Sequence, residues 1–361
     1  MKKFLASLLA VMLVMSASIT AFGATMTEVG NTLDSASKFA FGDKTSYDVS
    51  ESKDYYLSLL AGNYDEDSAK SYCASVKKAL DDGTKFDIGT LGLIISNIFM
   101  SLEDPEDFEG YNLLDMFGKT ELSESDNMYT YMYAVDIALL FDYPDLSKQL
   151  CDTIISKYTK GVGTDFWNGY GTSADDLAMF ILTLSNEYDK YKEYIDDAVA
   201  LLKTYNTDAG YDNYGANANS TALALAAFSV LEDQEAADDA YNKLMLFYDE
   251  KTGGFTSNYD DVMATKDAIL GLSHYVFLAD FDFGDLEEDE NDTTVKPATP
   301  ITSVADKNAN KNETKKTEKK DKNEPKAPQK SPATGSASAV AFAMFTMVAA
   351  GGVMVVTKKK D

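Results

Sequence analysis

Ala134-Val135-Asp136-Ile137-Ala138-Leu139-Leu140, Ala178-Met179-Phe180-Ile181-Leu182-Thr183-Leu184, Ala222-Leu223-Ala224-Leu225-Ala226-Ala227-Phe228 and Lys266-Asp267-Ala268-Ile269-Leu270-Gly271-Leu272 begin 44 residues apart, without a gap. One step upstream, Leu93 stands in the column of Ile137, Ile181, Leu225 and Ile269. A fixed period of this length means a repeated supersecondary unit that buries its apolar face only against its neighbours.

Within each unit the composition alternates. The stretches 87–99, 127–141, 175–186, 219–231 and 261–277 are apolar almost all round, and 52–60 is a further candidate of this kind. They read as helices buried on both sides. Between them, 67–80, 108–117, 146–158, 190–205 and 235–248 carry apolar residues at helical spacing against a charged face, as at Tyr194, Ala198, Leu201, Leu202 and Tyr205. These read as surface helices. About six inner and five outer helices are expected, in an open solenoid or a closed double ring. The ring is favoured, because neither end of the array shows polar capping repeats. The expected fold class is all-α, an α/α toroid.

The turns ahead of three inner helices also repeat: Asp165-Phe166-Trp167-Asn168-Gly169-Tyr170-Gly171, Ala209-Gly210-Tyr211-Asp212-Asn213-Tyr214-Gly215 and Gly253-Gly254-Phe255-Thr256-Ser257-Asn258-Tyr259. With these turns, and with Ser220-Thr221-Ala222-Leu223-Ala224-Leu225 and Met263-Ala264-Thr265, the region Ser52 to Leu278 resembles the α/α toroids of terpenoid cyclases and protein prenyltransferase β subunits. It is more similar still to the toroid repeats of secreted clostridial surface proteins, which are related to transcobalamin-like domains. The resemblance implies a fold and leaves activity open.

The chemistry of those enzymes is absent from the chain. No Asp pair has the Asp two residues upstream that a cyclase proton donor needs, and none has the Asp-Asp-x-x-Asp spacing of a metal-dependent ionising site. The prenyltransferase zinc positions hold Asn219, Thr221 and Ala264, and the one histidine, His274, lies too far along its helix. No Cys-Gly-x-Gln thioester sequence occurs. No metal or cofactor and no catalytic residue is therefore expected. Asp175, Asp176, Asp260 and Asp261 fall at helix starts, where carboxylates cap backbone N–H groups.

The chain of 361 residues holds 59 acidic residues, 32 basic ones and two cysteines. Every basic residue is Lys, so no guanidinium clamp exists. Residues 25–285 carry 48 acids and 17 lysines, a net charge of −31, which argues against nucleic acid as a partner. Cys73 and Cys151 fall on outer helices with another between them, about 20 Å apart and beyond disulfide reach.

The two ends read as addresses. Residues 1–24, with Lys2-Lys3, an apolar run and small residues up to Ala24, form a secretory signal peptide. Residues 286–330 contain 10 Lys and no aromatic side chain, a linker too polar to bury a core. In 331–361, Ser331-Pro332-Ala333-Thr334-Gly335 precedes an apolar stretch over 337–356, long enough to span a membrane, and then Lys358-Lys359-Lys360. This tail resembles the Leu-Pro-x-Thr-Gly sorting signals of Gram-positive cell-wall proteins, in a clostridial Ser-Pro-x-Thr-Gly form. The resemblance implies a sortase as partner, cleavage after Thr334, covalent transfer to peptidoglycan, and membrane contact only before sorting. The toroid domain is expected over 25–285.

The functional expectation is a secreted, wall-anchored toroid that binds a ligand, such as a glycan, or a partner at its loop end. Trp167, Tyr170, Tyr211, Asp212, Tyr214, Phe255, Tyr259 and Asp260 are the candidate binding residues, because aromatic faces beside amides and carboxylates suit sugars. The alternatives are a glycan-cleaving or cyclase-like enzyme on the same ring, a corrinoid binder and a purely structural wall component.

Overall fold

The computed structural model describes residues 26–123, 126–164, 166, 171–212 and 214–280. The segments expected to form a signal peptide, a linker and a sorting signal lie outside them. Among the described residues, helices alternate between two layers: α1 (Met26–Phe41), α2 (Ser52–Leu60), α3 (Glu66–Asp81), α4 (Ile88–Met100), α5 (Leu113–Gly118), α6 (Tyr131–Leu140), α7 (Pro144–Ile155), α8 (Ala174–Leu184), α9 (Tyr188–Thr204), α10 (Ala218–Val230), α11 (Gln234–Leu244) and α12 (Asp261–Asp280). The even-numbered helices pack each on the next, and α12 packs back on α2. The inner layer is therefore a closed ring of six, and the domain is an α/α toroid.

Composition puts each helix in its layer. In α10, every residue from Ala218 to Ser229 except Asn219 is buried, so neither face can carry charge. In α9, only Tyr191, Ile195, Ala198 and Leu202 are buried, a single stripe at helical spacing. Contacts rise together along neighbouring inner helices, Ser52 with Asn97 and Tyr55 with Ser101, Gly89 with Thr130 and Gly92 with Ala134, Asn219 with Asp267 and Ala222 with Gly271, so the inner helices run the same way. Their N-termini form one end of the ring, the mouth, and their C-termini form the base.

Glycines let the inner helices approach one another. A Cβ on Gly92 of α4 would lie 2.8 Å from the backbone N and Cα of Ala134 on α6. One on Gly271 of α12 would lie 2.5 Å from the carbonyl oxygen of Ala222 on α10. Interiors packed at this density have no room for an added methyl group.

Two identical dipeptides seal the ring. Lys53-Asp54 on α2 faces Lys266-Asp267 on α12, with Lys53 Nζ 3.6 Å from Asp267 and Lys266 Nζ 2.8 Å from Asp54. Asn219 Nδ2 donates to Asp267 as well, at 2.9 Å. The Lys266→Glu variant should lose about 1 kcal/mol in urea unfolding at low salt, and adding Asp54→Lys should restore most of it. Equal losses in the single and double variants would rule out a seam contact of this kind.

The sequence reading differs from the structure in three places. It left 26–41 unassigned, whereas α1 supplies the sixth outer helix, packing Val29, Leu33 and Ala36 into the core against α12. Gly30, Asn31, Thr32, Ser35 and Ser37 dilute its helical pattern. The outer helix expected over 108–117 is only α5, because 103–112 is taken up by turns with positive φ at Glu109 and Gly110. Finally, the turns before α8 and α10 contain two-residue antiparallel hairpins, Tyr158–Thr159 with Gly163–Thr164 and Asn206–Thr207 with Gly210–Tyr211. Cys73 and Cys151 are both free. No helix among the described residues is long and apolar enough to cross a membrane.

Candidate functional site

The turns 209–215 and 253–259 lie at the mouth, but their two aromatic positions do different work. Tyr211 and Phe255 are fully buried in the wall of the toroid, Tyr211 against Phe228 and Phe255 against Tyr248. Their backbone N–H groups donate to Thr221 Oγ1 at 3.0 Å and Thr265 Oγ1 at 2.8 Å, and these threonines are 44 residues apart. Each hydroxyl donates in turn to a carbonyl of the preceding helical turn, at 2.7 Å. The first aromatic is thus a plug that ties each turn to its inner helix, so Tyr211 and Phe255 leave the set of binding residues. Asp260 is exposed, and its Oδ1 accepts the Val262 and Met263 N–H groups and caps α12. Trp167 and Tyr170 lie outside the described residues.

The second aromatic points the other way. Tyr214 is 92% exposed and Tyr259 is 93% exposed. Tyr214 has φ +61° and Gly215 φ +112°, a left-handed turn that costs an L-residue roughly 1–2 kcal/mol. Beside it, Tyr214, Tyr205, Asp212, Thr172, Thr204 and Thr207 line an open groove of about 410 Å³. Three hydroxyls facing it donate to nearby carbonyls: Thr172 to Thr164, Thr204 to Leu201 and Thr207 to Gly210. Their lone pairs remain available as acceptors. Asp212 Oδ1 accepts the Gly215 N–H at 2.7 Å, which holds the turn in place. Tyr205 Oη donates to the Thr172 carbonyl at 3.0 Å and joins the two neighbouring turns.

Asp176, at the start of α8, has the structural role expected. Ser173 and Asp176 form a reciprocal capping box, and Asp176 also accepts the Tyr129 hydroxyl at 2.5 Å.

A second polar region was not anticipated. The rings of Tyr56 on α2 and Tyr133 on α6 meet edge to face, with centroids 5.0 Å apart. Helix α4 lies between α2 and α6 in the ring, so this contact crosses the lumen. Beside it, half-buried Asp136 accepts the Asn186 amide at 2.8 Å. Protein walls desolvate the Asp136 carboxyl and push it up to about 7, with the Asn186 hydrogen bond opposing the shift. From α12, diametrically opposite α6, Asp267 acts electrostatically on the Tyr133 hydroxyl, as Asp136 does. The signal was in the repeat columns: Asp136 stands with Phe180, Ala224 and Ala268, and Asp267 with Val135, Met179 and Leu223. Each is the lone acid in an otherwise apolar column. Among the described residues, no group of three His, Cys, Asp or Glu is placed to hold a metal ion.

No protein-family model and no curated protein matches this chain. Among solved structures, one similar chain is an inactive variant of the alpha-1,6-mannanase GH76A of Salegentibacter sp. HEL1_6, in complex with alpha-1,6-mannotetrose. The likeness has a TM-score of 0.44 at 11% identity and covers 71% of this chain and 100% of that one.

Proposed function

We propose that this chain is a secreted toroid, anchored to the cell wall through Ser331-Pro332-Ala333-Thr334-Gly335, that binds carbohydrate in the groove beside Tyr214. The observation that carries the binding half is an aromatic ring held fully in solvent on a strained backbone, next to a groove of hydroxyls and one carboxylate. Strain kept at an exposed position needs a use to offset it, and a sugar face stacked on the ring supplies one. Tyr259 extends the aromatic surface along the mouth. The anchoring half rests on the order of export signal, polar linker and sorting signal.

A glycan array probed with the full chain and its Tyr214→Gly variant tests the binding half. Glycine adopts positive φ freely, so this variant should gain up to about 1 kcal/mol of stability while its array signal falls at least tenfold. An unchanged signal would refute the groove. The anchoring half predicts that Thr334→Ala moves the protein from the wall fraction to membrane or medium, and undiminished wall attachment would refute it.

A further inference from the structure

We propose that the groove beside Tyr214 selects sugars that carry a free amine, with the ligand's ammonium set against Asp212 and the open face of Tyr214. The inference rests on the carbohydrate reading of that groove and names its substrate class.

The side chains along the groove offer acceptors almost throughout. Thr172 Oγ1 gives its proton to the Val162 and Thr164 carbonyls, at 2.9 and 2.8 Å, Thr204 Oγ1 to Leu201 and Thr207 Oγ1 to Gly210, each at 2.7 Å. Tyr205 Oη donates to the Thr172 carbonyl. Asp212 Oδ1 accepts the Gly215 N–H, and nothing among the described residues bonds its Oδ2. Of the lining side chains, only Tyr214 keeps a hydroxyl proton to give. A row of lone pairs with one carboxylate suits a ligand rich in donors, and an ammonium supplies three together with a positive charge.

Charge points the same way. No lysine lines the groove. Lys203, next to Thr204 in the chain, is held by Asp233 at 2.7 Å, and Lys243, which reaches Asn206, is held by Asp239 at 2.8 Å. Asp208 stands exposed on the same turn. An acidic sugar would meet no cation here, and a neutral one would leave the Asp212 charge unanswered. Elsewhere on the domain a Lys ammonium lies over the rings of Tyr47, Tyr188, Tyr191 and Tyr194, between 4.5 and 5.2 Å from the centroid. Tyr214 keeps its face open at 92% exposure, so the same pairing is available to an amine on the ligand.

Calorimetric titration of the full chain with three probes tests this: the tetramer of glucosamine, the tetramer of N-acetylglucosamine, and tetralysine. The two sugars differ only in whether their nitrogens are charged. The glucosamine tetramer should bind about tenfold more tightly or better, and Asp212→Asn should reduce that preference to about threefold or less. Asn at 212 still accepts the Gly215 N–H, so the turn is kept while the charge is lost. Asp212→Ser does the same through its hydroxyl, should the Asn variant fail to fold. Residues 25–285 carry a net charge of −31, so a polycation drawn to the whole surface would barely register one lost charge. A preference that survives both substitutions therefore overturns the inference. Tetralysine bound as tightly as the glucosamine tetramer overturns it too, because the amine alone is then read. The acetylated tetramer bound equally or more tightly, and lost in Tyr214→Gly, overturns it and leaves the carbohydrate reading of the groove standing. If neither sugar binds, the inference fails, and the array signal of Tyr214→Gly decides the groove by itself.

Discussion

Gly92→Ala should destabilise the domain by about 1–3 kcal/mol, although alanine is the better helix former by about 1 kcal/mol. The added methyl would sit 2.8 Å from the backbone of Ala134, and a backbone cannot rotate aside as a side chain can. Helices α4 and α6 would have to part, in a ring where each inner helix is fixed by two inner neighbours. Gly30→Ala on α1 provides the opposite control, because no atom lies within 4 Å of its added Cβ. That change should stabilise by up to about 1 kcal/mol. Urea denaturation of both variants checks the pair. A Gly92→Ala protein as stable as the parent would mean that the inner ring is looser than its helix spacing implies.

Asp136→Asn should stabilise the domain above pH 7 by about 2 kcal/mol and should flatten its pH dependence. An Asp in an unfolded chain titrates near 3.9, whereas in the toroid Asp136 titrates near 7. The folded state thus holds a proton that the unfolded state releases between roughly pH 4 and 7. Relative to an unshifted carboxyl, stability from this group is fully present below pH 4 and is lost as pH rises through 7. Three pKa units set an upper bound of about 4 kcal/mol, and partial solvent access to the carboxyl reduces it. Asp48, Glu51, Asp81, Asp196 and Asp249, held below the usual carboxylate range by hydrogen bonds, act in the opposite sense at lower pH. Unfolding midpoints of parent and variant that run parallel from pH 5 to 8 would contradict the assignment.

The architecture was legible because the repeat is gapless. Five inner helices could be placed from the apolar columns, and α2, read from its composition as a further candidate, was found with the bounds the structure gives it. The outer layer was harder, because surface helices need only one apolar stripe and α1 breaks its stripe with Gly30, Asn31 and Thr32. The binding residues were legible only in part. The Gly-aromatic turns marked the mouth, but Tyr211 and Tyr214 both stood among the binding candidates, although Tyr211 directly follows Gly210 and Tyr214 follows Asp212 and Asn213. The choice between them is made by the Thr221 hydroxyl ten residues downstream, which draws the first turn into the wall. Tyr56 and Tyr133 could not be paired from the sequence, because the contact exists only once the ring has closed.

The direction of α12 has a consequence for display. This helix starts at the mouth and ends at Asp280 on the base, and α1 runs antiparallel to it, so Met26 begins on that same lower rim. The described domain thus ends on the base, and Tyr214 and Tyr259 stand on the opposite rim; were the chain tethered through its C-terminal side, as proposed, the tether would leave from the end away from the aromatic tips.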